Sequence, residues 1–486
     1  MKNLGRIIIT VVFSIILISC ESTSKKNKGQ KNAVKVIVEK VNLYLNELEK
    51  IGFSGTLLVD YKGEKIIAKG YGKSDIKNNI SNHPKTIMDI GSITKQFTAA
   101  GILKLEMLGE LTVDDALSKY FPTIPSDKSN ITVHQLLTHS SGLVNVVGDD
   151  YEDMSEEEFL DRVFQTALLS PIGEKYNYSN VGYSLLAIII ERVSNVPYEQ
   201  FLNEKLFTPA EMHQTGYTLP NWKSQEIAIG YSKNSEWGKP NEKKWDQSAP
   251  FLNLKGNGGI LSSVEDLYKW HLALLGKKIL SNKAKDKYYK PYIKEGENSN
   301  SFYAYGWAIF PTSRGTKLIT HNGGNGIFFA DFWRYLEEQV TVIVLTNNSN
   351  SYNEIIASQI AAIILKDNYS PILPKDSKNP SISEESIQDQ LKHVFTTIRD
   401  GDKNSWSELI KSKFTIDFIH IAPMETHLSF FEKFSKRLKG GEIASIEHQE
   451  DEIVMSIKTK NEQFNMVLNM EFDENDELKF AGIMID

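Results

Sequence analysis

The stretch GSITKQFTAA, Gly91 to Ala100, decides how the rest of the chain is read. A serine and a lysine stand three residues apart at the start of an apolar helical run, with a glycine just before. Positions i and i+3 share a helical face, so Ser92 and Lys95 are placed to touch. A lysine beside a hydroxyl is one way to turn that hydroxyl into a nucleophile. Each residue alone also has an ordinary reading, the serine as a helix N-cap and the lysine as a solvated charge.

Composition narrows the classes. The chain has 486 residues, with 41% hydrophobic and 10% aromatic residues. That is enough for more than one domain at roughly 150 residues each, and for a real core. The net charge is −7, with acids and bases mixed along the chain. Phosphate binding needs a basic face, so nucleic acid is not expected as a partner.

The N-terminus reads as a targeting segment. Lys2 and Arg6 precede an almost wholly apolar run, Ile7 to Ile18, which is short for a bilayer span. "LISC", Leu17 to Cys20, resembles the bacterial lipoprotein signal, in which the cysteine is lipidated and becomes the new N-terminus. Residues 1–20 are then a signal peptide and the polar 21–33 a tether to the membrane. The expected location is the bacterial cell envelope, lipid-anchored and facing away from the cytoplasm. Cys20 is the only cysteine, so neither an internal disulfide nor a cysteine zinc site is available.

Working outward, Val34 to Ile51 carries Val38, Val41, Leu45 and Leu48 at helical spacing. "FSGTLLVDY" and "EKIIAKGYG", separated by Lys62 and Gly63, predict a hairpin. The Ser92 helix runs to about Met107. Residues from about 109 to 260 read as helical patches, with a clear apolar helix over Asn180 to Val193. Strand character returns in "TKLITHNGG", "GIFFADFWRY" and "QVTVIVLTNN", and Ile355 to Leu365 reads as a closing helix.

Strands at both ends with helices between predict an α+β fold. One antiparallel sheet, flanked by helices, is assembled from both ends of a domain spanning 34–366, with a helical lobe inserted. Residues 367–386, rich in Pro, Ser and Lys, read as a linker. Residues 387–486 read as helices followed by four strands, a small α+β domain that resembles the SnoaL-like or nuclear-transport-factor-like group.

Three further stretches bear on the opening one. "KYNYSNVGYSLLA" places Tyr178 and Asn180 just before a helix, with Asn180 a candidate N-cap. "LITHNGGNGIFFA" is a strand that delivers His321 and then Gly323 and Gly324, which allow close backbone approach to a ligand. "ITVHQLLTHSSGL" is a helix ending in a tight turn. The order Ser-x-x-Lys, Tyr-x-Asn, His-x-Gly resembles the serine β-lactamase and penicillin-binding superfamily. It looks most like the class C β-lactamase branch, with its D,D-carboxypeptidase, D-aminopeptidase and esterase relatives. "SITKQFTA", "LLTHSSGL", "YSNVGYSLL" and "GNGGILSSVEDLYKW" carry the likeness, over about Ile51 to Leu365.

The chemistry follows from the residue types. A free lysine or tyrosine has a pKa near roughly 10, a poor base at neutral pH. Placed together and desolvated, Lys95 and Tyr178 are expected to lower one another's pKa and share the Ser92 proton. Asn180 hydrogen-bonds Lys95 or the substrate amide. The resemblance assigns the oxyanion hole to the amides of Ser92 and Gly324, and it implies an acyl-enzyme on Ser92 with no metal or cofactor. The expected substrate is a small peptide, amide or ester of the peptidoglycan type. The chain departs from the β-lactamase pattern at one place. His321-Asn322-Gly323 replaces Lys-Thr-Gly, exchanging a permanent cation for an imidazole of pKa near roughly 6.5. That weakens the expectation of efficient β-lactam hydrolysis. The alternative reading is a penicillin-binding or regulatory protein that keeps the fold and turns over weakly. The sequence leaves the oligomeric state open.

Other signatures fail. "GYGKSD" has Ile67 where a phosphate loop needs its first glycine, and neither Gly-x-Ser-x-Gly nor His-Glu-x-x-His occurs.

Overall fold

The structure is a computed structural model. It describes residues 32–486 except 233–234, 243–250, 297–298, 351, 367–368, 374–383, 416–417, 420–422, 450–451, 461, 473–477 and 486. The expected signal peptide with Cys20, most of the tether and most of the linker therefore lie outside the described residues. The chain divides into two compact units, Met1–Pro374 and Lys375–Asp486.

The first unit is built on one antiparallel sheet of eight strands. In chain order these are β1 (Gly55–Tyr61), β2 (Glu64–Tyr71), β3 (Ile293–Lys294), β4 (Phe302–Tyr303), β5 (Ala308–Pro311), β6 (Lys317–Gly324), β7 (Phe329–Tyr335) and β8 (Val340–Thr346). Their spatial order is 2-1-8-7-6-5-4-3. The sheet is thus assembled from both ends of the unit, with β1 paired along its length to β8 from Gly55↔Thr346 to Tyr61↔Val340. The hairpin joining β1 and β2 turns at Lys62 and Gly63, both with positive φ (58° and 78°), as a two-residue primed turn requires.

Alternation along β1 fixes which layer covers each face. Leu57 and Val59 pack with Val41, Leu45 and Leu48 of the helix over 32–50 and with Ile356 and Ile360 of the helix Ile356–Leu365. Leu58 points the other way, into the larger core shared with the inserted helices. Burying each such side chain stabilises the unit by about 1.5–3 kcal/mol. The lobe between β2 and β3 holds the helices Thr94–Leu108 and Asn180–Ser194, which pack directly on one another. The second of these is apolar on nearly every side, and Val181 through Ile190 are all buried. It is a core helix, which is why no amphipathic stripe marks it.

The described residues of the second unit include the helices Glu384–Asp400, Lys403–Lys413 and Met424–Leu438, followed by a four-stranded antiparallel meander. Its own core joins Leu391, Trp406 and Phe431 of the helices to Ile453, Met455 and Met466 of the strands. Among the described residues no helix is long and apolar enough to cross a membrane.

Candidate active site

Ser92 lies in a single 3-10 turn, Gly91–Ile93, that leads straight into the helix Thr94–Leu108. It caps neither element: the N-cap positions are Ile90 and Ile93, without side-chain bonds. The ordinary N-cap reading of Ser92 is thereby removed.

One turn on, Lys95 is completely buried. Its Nζ lies 3.1 Å from Ser92 Oγ, 2.7 Å from Asn180 Oδ1 and 2.8 Å from the Asn257 carbonyl. It also stands over the Tyr178 ring, 4.7 Å from the centroid. Burial pushes the Lys95 pKa well below its ordinary value, with the Asp150 carboxylate opposing. A neutral amine has two N–H groups and one lone pair. Asn180 Oδ1 and the Asn257 carbonyl can only accept, so once Lys95 is neutral they take its two N–H groups and leave the lone pair for the Ser92 hydroxyl. That is the geometry of a general base.

Tyr178 behaves otherwise than the sequence suggested. Burial raises its pKa, a hydrogen bond with Ser92 only partly opposes this, and Glu295 raises it further. The expected mutual lowering of the two pKa values is therefore not found at Tyr178. The two groups are pushed apart rather than together, because desolvation disfavours the charged form of each. The two directions suit Lys95 to the part of a base and Tyr178 to that of an acid.

Asn180 is placed by the helix it begins, but it is not its cap. The N-cap is Ser179, whose Oγ accepts from the Gly182 amide at 3.0 Å. The Asn180 side chain is thus free to receive Lys95, while its own amide donates to Asn145 Oδ1 at 3.2 Å.

The end of β6 closes the site. A Cβ on Gly323 would lie 2.2 Å from the Ile90 carbonyl oxygen and 2.5 Å from the Ser92 nitrogen. A Cβ on Gly91, which has φ +49°, would lie 2.3 Å from the Gly324 nitrogen. Glycine at both places lets the strand end that carries Gly324 lie against the turn that carries Ser92. His321, on the same strand, is buried. Its Nε2 lies 2.9 Å from the Tyr303 hydroxyl and its Nδ1 2.5 Å from the Asn322 carbonyl. A carbonyl only accepts, so Nδ1 carries the proton and Nε2 accepts from Tyr303. Burial drops the His321 pKa to about 3, well below the near-neutral value expected from sequence. The imidazole is neutral.

A cavity of about 710 Å³ opens over Ser92, walled by Tyr176, Tyr178, Glu295, Tyr303 and His321 among others. Several of the residues around Ser92 and Tyr178 were not singled out from sequence. His139 carries the most geometry. Its ring lies 4.3 Å from that of Tyr178 and 4.6 Å from that of Tyr303. Asn257 sits in "GNGGILSS", a stretch noted for its likeness but given no role. Among the described residues no group of three or more His, Cys, Asp or Glu is arranged to hold a metal ion.

Residues 41–363 match the family described as Beta-lactamase. The chain is 33% identical over 294 residues to PbpX of Bacillus subtilis (strain 168), covering 60% of this chain and 70% of that one. It is 27% identical over 353 residues to Penicillin-binding protein 4* of the same organism, covering 69% and 77%. Among solved structures it resembles the octameric penicillin-binding protein homologue from Pyrococcus abyssi, with a TM-score of 0.61 at 24% identity, covering 92% of this chain and 95% of that one.

Proposed function

The chain belongs to the beta-lactamase family, and from that premise we propose that it is a serine hydrolase acting through an acyl-enzyme on Ser92. The observation that carries this reading is the Lys95 amine, buried and held by two acceptors with its third direction on Ser92 Oγ.

Ser92 Oγ attacks the substrate carbonyl carbon, and its proton passes to Lys95. The oxyanion that forms faces the amides of Ser92 and Gly324, a pair in which one donor is worth on the order of 3 kcal/mol. As the carbon–nitrogen or carbon–oxygen bond breaks, Tyr178 gives its proton to the leaving group and regains one from Lys95. Water then enters by the same route and frees the serine.

The bonds cleaved in this reading are amides or esters, with peptidoglycan-type D-amino-acid peptides as the natural class. Penicillin-binding relatives support this, as does the class C-like order Ser92, Tyr178, His321. We further propose that Cys20 is lipidated and holds the enzyme on the envelope, and that residues 387–486 form a SnoaL-like accessory domain. Detergent phase partition of the chain and of Cys20→Ala tests the anchor: the variant moves to the aqueous phase.

Intact-mass spectrometry after incubation with a fluorescent penicillin, with a serine-reactive fluorophosphonate in parallel, tests the chemistry. Fluorophosphonate labelling that disappears in Ser92→Ala is expected. Labelling by neither reagent overturns the reading in favour of a binding protein.

A further inference from the structure

Asp89 is buried and takes no part in the proton transfers proposed for Ser92. It ends the short strand Met88–Asp89, which pairs with Leu261–Ser262. Its two carboxylate oxygens reach different segments. Oδ1 accepts from the Gly91 amide at 2.7 Å, inside the turn that carries Ser92. Oδ2 accepts from Asn325 Nδ2 at 3.0 Å. Asn325 follows Gly324 directly and closes the turn there. Its Oδ1 accepts from the Ile327 and Phe328 amides at 3.1 and 2.9 Å, and its own amide donates to the Phe328 carbonyl at 3.2 Å. One carboxylate thus ties the nucleophile turn to the chain just past the end of β6.

Both partners are neutral donors. A carboxylate accepts with each oxygen, whereas an amide in its place offers one acceptor and one donor group. Burial pushes the Asp89 pKa up to about 6, the bonds from Gly91 and Asn325 opposing and the Asp150 carboxylate adding to the rise. At neutral pH the ionised form, which serves both donors, prevails. A buried charge is a costly way to stabilise a turn. What this one secures is a spacing. Gly91, at φ +49°, stands so near β6 that a Cβ on it would lie 2.3 Å from the Gly324 nitrogen.

We propose that Asp89 is the positioning residue of the oxyanion hole: through Gly91 on one side and Asn325 on the other, it fixes the distance between the Ser92 and Gly324 amides. The proposal rests on the serine-hydrolase reading and names the side chain that keeps its two donors in place. Asp89 itself touches no substrate and exchanges no proton.

Trading the two side chains tests it on the full chain. In Asp89→Asn a donor group faces a donor, and in Asn325→Asp a carboxylate faces a carboxylate, so each single change breaks the bridge. In the double variant carrying both changes, donor and acceptor trade places. Position 89 still accepts from Gly91 and now donates across, while position 325 accepts from it and from Ile327 and Phe328. Tyr151, hydrogen-bonded to Asn325, can donate there as well. The readout is kcat/KM for N-acetyl-D-alanyl phenyl ester divided by that for the matching O-phenyl thionoester. Sulfur is large and accepts hydrogen bonds poorly, so well-placed donors favour the oxygen ester. A ratio is also insensitive to how much of a variant is folded. It is expected to fall about tenfold or more in each single variant and to return to within about threefold of the parent in the double. A ratio unchanged in the single variants overturns the proposal. So does a double variant that regains the parent's urea midpoint without its ratio, since the bridge then serves stability alone. Where a single variant yields too little folded protein to assay, the double decides: the parent's ratio supports the bridge, and a collapsed ratio overturns it. If the parent chain cleaves neither ester and is not labelled by fluorophosphonate, the serine-hydrolase reading fails and the role of Asp89 falls with it. If the parent is labelled and cleaves the ester while the trade fails, the assignment of Asp89 alone is lost.

Discussion

His139 holds Ser179 by its side chain, with Nδ1 accepting from the Ser179 amide at 3.0 Å. Its own carbonyl accepts from the Asn177 amide at 2.7 Å. One residue thus grips the backbone on both sides of Tyr178 while its ring lies against the Tyr178 ring. It does so from a left-handed backbone, φ 55°. This makes His139 a positioning residue for the acid. In His139→Phe the ring contact survives and the acceptor is lost, leaving a buried amide unpaired at about 1–3 kcal/mol. The expected result is a denaturation midpoint lowered accordingly, with kcat down about tenfold or more and KM little changed, because Tyr178 is misplaced rather than removed. Denaturant titration and steady-state kinetics on one preparation check both.

Asn180 offers a test of the base. In Asn180→Asp a carboxylate replaces the amide oxygen 2.7 Å from Lys95 Nζ, and an opposite charge that close favours the ammonium form. In the proposed mechanism Lys95 works as the neutral amine, so raising its pKa moves the acid limb of the acylation profile to higher pH. The rate at neutral pH falls. A pH series of fluorophosphonate labelling reads this shift, which Asn180→Ala does not produce in the same direction.

Gly323 tests the closeness of β6 to the nucleophile turn. Gly323→Ala places a methyl group 2.2 Å from the Ile90 carbonyl and 2.5 Å from the Ser92 nitrogen, so the strand end must retreat. With the oxyanion donors separated, turnover is expected to fall on the order of 100-fold, the scale of losing one such donor. The far-ultraviolet circular dichroism should stay close to that of the parent chain.

His321 gives a stability prediction with a definite sign. Its folded pKa of about 3 lies below the ordinary value of 6.5. As pH falls, the unfolded chain binds this proton first, so the unfolded state is favoured in the window between those two values. Stability is therefore full above about pH 6.5 and is lost progressively toward pH 3. His139, also pushed well below its ordinary value by burial, adds to the same loss. His321→Gln should flatten the acid limb of stability measured by urea titration from pH 7 to pH 4.

Much of this was legible because the chemistry sits on long, regular elements. Ser92 and Lys95 were readable from helical spacing, and the hairpin from period-two alternation around Lys62-Gly63. The N-cap was misread by one residue because Ser179 and Asn180 are both good caps, and sequence does not say which side chain turns toward the helix and which toward Lys95. Glu295 and Tyr303 left no signal. They lie on or beside the two-residue strands β3 and β4, too short to carry any periodicity. His139 acts largely through its backbone, so its residue type alone does not announce its part. The pKa values of Lys95, Tyr178 and His321 depend on burial, which only the assembled cavity supplies.

The pairing of β1 with β8 has a consequence for the order of events during synthesis. β1 leaves the ribosome early, and the strand that covers its free edge comes almost at the end of the unit. Ser92, Lys95 and Tyr178 are likewise made long before Gly323 and Gly324. The nascent chain must therefore carry an unsatisfied strand edge and an incomplete oxyanion site until its last strands emerge. A break anywhere in the inserted lobe leaves two fragments whose strands still belong to one sheet.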